Sequence, residues 1–251
     1  MEVHHHSHHP KKWKEYVSEF LMLFLAVTLG FFAENIREHY VEKEREEKFI
    51  KIVHEDLLND INALNKIKTA YDLRLKREDT LINILSSPDF SHTNDLYYLA
   101  RLNSIREFFH HSKNGFQQLK NAGGLRLIED IDIIKKIQEY ENSIDEMEEL
   151  QQLTENLLMV YREKMSKIFK GVVFKSMPIN PSATIIADRF LRPNNNPKLM
   201  SIDPIDINEF LVKTLYVHNN NLGIFSRSKK LSEEALELDK ILQNHYHLNK
   251  Q

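Results

Sequence analysis

The residues best equipped for chemistry crowd together near the start of the chain, where His4, His5, His6, His8 and His9 fall within six positions. Neutral imidazole suits Zn²⁺, Ni²⁺ and Cu²⁺ alike. A tail can wrap a metal but does not preorganise its ligands, so the tract reads as weakly and unselectively metal-binding. No resident metal and no cofactor is expected. A second candidate is Glu107-Phe108-Phe109-His110, whose spacing puts a carboxylate and an imidazole on one face of a helix. Di-iron bundles need two such pairs and further glutamates. The only other histidine with a glutamate three residues before it is His5, after Glu2 in the N-terminal tail, and the neighbouring His111 does not supply a second pair within the helical domain. A polar helix face is the simpler account.

Other chemistries lack their residues. Without cysteine there is neither a thiol nucleophile nor a cysteine metal site. Six glycines, none spaced as a phosphate loop, and no serine in a Gly-x-Ser-x-Gly elbow remove two more classes. The formal charge is −3, and Arg227, Lys229 and Lys230 form a short basic cluster that reads as a solvated helix face. No nucleic-acid partner is expected, and the chain is read as a non-enzyme.

What remains is an element rather than a site. Phe20 to Ala33, FLMLFLAVTLGFFA, runs fourteen residues without a charge and is apolar all around a helix. Tyr16 and Val17 extend it upstream, and Ile36 extends it past Glu34 and Asn35. Trp13 and Tyr16 suit headgroup depth, and Lys11, Lys12 and Lys14 can snorkel outward. A cleaved leader would want small residues where Phe31 and Phe32 stand. The reading is a tail at 1–15, a transmembrane helix at 16–36 and a helical extramembrane domain at 37–251. Glu19 sits at the N-terminal edge of the span, where a carboxylate meets water and the positive end of the helix dipole. Lys and Arg are nearly balanced across the span. The tighter N-terminal lysines favour a cytoplasmic N-terminus and a periplasmic C-terminal domain, on a single-pass protein of a bacterial inner membrane.

Beyond the span the expected fold is all-α: the membrane helix continues as a long stalk and packs with further long antiparallel helices. Ile50, Val53, Leu57, Ile61, Leu64, Ile67 and Tyr71 recur at spacings of three and four, as one apolar stripe. Lys51, His54, Glu55, Asp56 and Asp60 flank it, and Glu46 is assigned to the opposite face. Ser86, Ser87 and Pro88 end the stalk. Thr93, Asn94 or Asp95 caps a helix through Ile105. A shorter helix follows Asn114-Gly115, and Gly123-Gly124 stops it with left-handed backbone. Asp130 or Asp132 opens a second long helix to Phe169, closed by Gly171. Five of the seven prolines lie in an excursion at 172–205. Asp206 caps a last helix, with a break expected near Asn219 to Gly223.

The segment GFQQLKNAGGLRLIEDIDIIKKIQEY, with Leu119, Ala122-Gly123, Leu125, Leu127-Ile128, Asp130 and Tyr140 in its motif positions, resembles an uncharacterised bacterial family of single-pass membrane proteins. Its members begin with a short apolar span and a charged helix, like Phe20 to Lys48 here. The resemblance implies topology and carries no activity.

The function expected is a membrane-anchored helical scaffold or sensor acting by association, as a homo-oligomer in the lipid bilayer. Its interface would be Ala26 and Gly30 in the span, where small residues four apart permit close approach, and Ile50, Val53, Leu57, Ile61 and Leu64 in the stalk. The alternative is an accessory subunit that pairs with other membrane proteins in a transport, envelope-stress or defence complex. An enzyme with an unrecognised site ranks third.

Overall fold

A computed structural model describes residues 12–87 and 89–248. It is all-α, with six α-helices and, among the described residues, no β-strand. The first helix, α1, runs Trp13–Ser86 without interruption, about 110 Å at 1.5 Å per residue. It ends at Ser87, which is extended (φ −95°, ψ 141°) as a residue before proline must be.

Three long helices form the frame: α1, α4 (Ile131–Ile168) and α6 (Pro204–Tyr246). Asp130 caps α4 by accepting from the amides of Asp132 and Ile133. The cap of α6 is Asp203, with Pro204 at the first helical position, rather than Asp206, which instead accepts from Ser201 Oγ at 2.8 Å. The break expected near Asn219 does not occur. Asn220 donates to Thr154 Oγ1 (2.7 Å) and Asn221 to Glu78 Oε1 (2.7 Å), so this polar run is spent on buried contacts inside a continuous helix.

His54 pairs with Asp239, Lys68 with Ser232 and Asn221 with Glu78, so α6 runs antiparallel to α1. Lys136–Glu237, Arg227–Glu146 and Lys167–Glu209 show the same for α6 and α4. Hence α1 and α4 are parallel, and the long helix that folds back along the stalk is α6.

The fourth column is a composite. α2 (Thr93–Asn103) packs with Leu81 and Leu85 at the far end of α1, and α3 (Asn114–Asn121) packs with Ile50 and Val53 near its base. Residues 104–113 link them with no helix at all. The topology is therefore an up-down-up-down bundle whose second column is unwound in its middle. The Pro/Asn-rich excursion at 172–205 crosses the far end as a small cap. It opens within α5 (Gly171–Ser176), and a Pro178–Phe190 bridge closes it over a core of Leu102, Met177, Ile186 and Phe190.

Candidate functional site

The unwound stretch 104–113, anchored by buried Ser104 and Phe109, poses the main physical problem of the fold, because a non-helical backbone packed against a core must find hydrogen bonds somewhere. Side chains of α1 and α4 supply them. Arg162 donates to the Ser104 carbonyl from Nε (3.0 Å) and Nη2 (2.9 Å). Arg74 donates to the carbonyls of Asn103 (2.7 Å) and Ile105. Gln151 grips Phe109 as a neighbouring strand would, accepting from its amide at 2.7 Å and donating to its carbonyl at 3.2 Å. Asp60 takes the Ser112 amide at 2.8 Å, and Asp56 takes the Gly115 amide at 2.6 Å.

Gly115 completes the clamp. A Cβ placed there would lie 2.6 Å from the backbone nitrogen of Val53, so only glycine lets the start of α3 touch the backbone of α1.

Two buried charge clusters lie within this clamp. In the first, fully buried Arg74 pairs with Glu78 at 2.9 Å and reaches Glu107 at 3.4 Å, while His218 Nδ1 stands 3.3 Å from Glu78 Oε2. Burial works against the Arg74 guanidinium, but Glu78, Tyr71 and Glu107 outweigh it and hold its pKa above the ordinary value. Contact with Glu78 likewise raises His218, against a smaller opposing effect of burial. Burial lifts the neighbouring Tyr71 hydroxyl to about 12.

In the second, Asp60 accepts from Tyr140 OH at 2.8 Å and meets His111 Nδ1 at 2.6 Å. Burial first, then the Asp60 charge, pushes the Tyr140 pKa up. An aspartate orienting a histidine is also the supporting half of a general base. Here the imidazole is wedged between Phe116 and Tyr140, with ring centroids 5.3 and 6.1 Å away. The grooves on either side hold about 180 and 220 Å³, below the roughly 300 Å³ at which ligand pockets begin. The cluster is built as a lock on the segment.

The residues singled out in the sequence fall in different places. The histidine tract at 4–9 lies outside the described residues. Glu107 and His110 do not share a helix face: both are in the extended segment, where Glu107 faces Arg74 and His110 stacks on Phe108. Among the described residues, no group of three or more His, Asp or Glu is placed to hold a metal. Arg227 pairs with Glu146, Lys230 pairs with Glu234, and Lys229 lies over the Phe225 ring.

The stalk stripe is corrected. Ile50, Val53, Leu57 and Leu64 are fully buried in the chain's own core, and Ile61 packs against it, so the seam assigned to a second stalk is already covered by this one. Its supposed flanks Asp56 and Asp60 are buried as well. So is Glu46, assigned to the outer face, which accepts from the Tyr246 hydroxyl.

Gly123 has φ +66°, left-handed, just past the end of α3. Gly124 does not share that conformation; its hydrogen packs against Phe49 and Leu119.

Ala26 and Gly30 lie in the one stretch that nothing covers. This part of α1 has a mean hydropathy of 1.9 over eighteen residues, none of them buried, and is long and apolar enough to cross a membrane. Nothing approaches Gly30 within 4 Å of a built Cβ.

Comparison with family models, with curated proteins and with solved structures finds no match to this chain.

Proposed function

We propose that the chain is a single-span membrane protein whose bundle is a stiff arm, acting through association rather than through chemistry. The carrying observation is the wholly exposed apolar stretch of α1 beside a bundle that buries its own stripe. Ten side chains from Phe20 to Ile36 are Leu, Ile, Val or Phe. At about 0.3–0.6 kcal/mol each near the middle of a bilayer, they favour insertion by roughly 3–6 kcal/mol. Lys11, Lys12 and Lys14 favour a cytoplasmic N-terminus, with the arm on the other side of a bacterial inner membrane. Because the stalk stripe is occupied, self-association is assigned to the span, where Ala26 and Gly30 offer the close approach.

Single cysteines test this, since the native chain has none. With the full chain in membranes, disulfide crosslinking is expected at Ala26→Cys or Gly30→Cys and absent at Val53→Cys and Leu57→Cys. Recovery of the intact protein in the soluble fraction would defeat the membrane reading. A crosslink at Val53 or Leu57 would mean that the arm opens its core to pair.

One observation favours the accessory-subunit reading as second. The cap exposes Val172, Ile179, Ile185, Leu191, Met200 and Ile202, an apolar group far from the span and suited to a different protein. A crosslink-free monomer that copurifies with other membrane proteins would put this reading first.

A further inference from the structure

Just past the proposed span, one face of α1 carries His39, Glu42, Lys43, Glu46 and Glu47, at helical spacings of three and four. The end of α6 and the turn before α4 close over this face and leave an open groove of about 430 Å³, within the range of ligand sites. Its lining carries charges of both signs. Lys43 and Arg126 line it, and neither is held in an ion pair by a described residue. Glu42, Glu47 and Glu129 line it too, without a paired cation among the described residues. Tyr246 fixes the Glu46 carboxylate in the wall. The last turn of the 43-residue helix α6 ends there at His247 (φ 52°), bringing the negative end of the helix dipole to the groove.

The order along α1 matches a particular ligand. Lys43 lies seven residues past Ile36, about 10 Å along the axis. Helix side chains lean toward the N-terminus, here the membrane side, so its ammonium falls near headgroup depth. Glu46 and Glu47 stand farther out. An ethanolamine phospholipid presents the same sequence in complement: phosphate first, then a primary ammonium beyond it. A serine headgroup adds a carboxylate that these glutamates repel, and a choline headgroup has no N–H to donate to them.

We propose that this groove holds the headgroup of an ethanolamine phospholipid, its phosphate on Lys43 and Arg126 and its ammonium on Glu47 and the final carbonyls of α6. The inference rests on the membrane reading above.

The test places the full chain in nanodiscs of mixed ethanolamine, glycerol and choline phospholipids and counts the lipids retained on the protein by native mass spectrometry. Retention of the ethanolamine lipid about tenfold over each of the others is expected, the value of one charge-assisted hydrogen bond. That preference should disappear in K43A/R126A and in E47Q, whose side chains have no ion-pair partner among the described residues, so their melting temperatures should stay put. Displacement by soluble glycerophosphoethanolamine would assign the binding to the free headgroup, and resistance to it would assign the binding to lipid; either sustains the headgroup chemistry. Equal retention of the three lipids, or a preference that survives in both variants, overturns the groove as the site. Failure of the chain to enter the nanodisc overturns the membrane reading, and the proposal with it.

Discussion

Asp60→Ala should be among the most damaging single substitutions in the arm. The Asp60 side chain is fully buried and serves three groups at once: the Ser112 amide at 2.8 Å, Tyr140 OH at 2.8 Å and His111 Nδ1 at 2.6 Å. Removing one member of a buried charged cluster typically costs about 3–5 kcal/mol, because the groups left behind stay buried without partners. For a chain of this size that corresponds to a fall of roughly 6–20 °C in melting temperature. Asp60→Asn keeps the shape and part of the bonding, so it should fall between the alanine variant and wild type. Asp72→Ala is the control, since Asp72 pairs with Lys76 at 2.7 Å on the surface, where such pairs are worth about 0–1 kcal/mol. The assay is thermal unfolding of the full chain in detergent, with amide exchange read at Ser112 and Phe109. Asp60→Ala melting within about 2 °C of wild type would refute the argument that buried carboxylates hold the extended segment.

Gly115→Ala should destabilise by about 1–3 kcal/mol, as overpacking does, because its Cβ would meet the α1 backbone at 2.6 Å; chemical denaturation checks it. Gly123→Val and Gly124→Ala should both destabilise, for different reasons. The first costs about 1–2 kcal/mol through left-handed backbone, so Gly123→Asn should recover much of the loss. The second is steric against Phe49 and Leu119, so Phe49→Leu should relieve it. For His218, a folded pKa raised above 6.5 means the folded state holds the proton more tightly. Its contribution is full below that value and is lost as pH rises through the folded pKa. A pH series of melting temperatures should therefore fall less steeply through neutrality in His218→Gln than in wild type.

Continuous patterns were legible in the sequence, and assembled ones were not. The exposed apolar stretch of α1 is a local run of residues, and the stalk stripe is a local periodicity, so both could be read directly as helix. Periodicity shows that Ile50, Val53 and Leu57 are covered without showing by what. The same seam serves a second stalk or the chain's own α6. Asp60, Arg74 and Glu78 fall in register with the stripe, so their burial was in principle readable. A charge beside a seam, however, looks like a solvated flank until its partners are known. The extended segment was the least readable part. Its hydrogen bonds come from Arg74, Gln151 and Arg162, some 29 to 58 residues away, while its own residues read as a helical Glu-x-x-His. The expected break at Asn219 failed for the same reason: the asparagines answer to Thr154 and Glu78 rather than to their neighbours.

The polar ties also bear on how the arm could act. A purely apolar interface between α1 and α6 could slide by a turn at little cost, because one aliphatic ridge fits the next groove about as well. Here Glu46–Tyr246, His54–Asp239, Lys68–Ser232 and Glu78–Asn221 pin the two helices from base to far end. A slide of one turn would break all four. α1 itself runs unbroken from the apolar stretch through the bundle. In the proposed membrane setting the span and the arm therefore move as one body. The part of α1 beyond Ile36 is about 75 Å long, so a tilt of about 10° in the bilayer would carry the cap through roughly 13 Å, more than the width of a helix. Pairing of spans at Ala26 and Gly30 would then set the spacing of the exposed apolar caps, and a change at one end of the arm would be carried to the other.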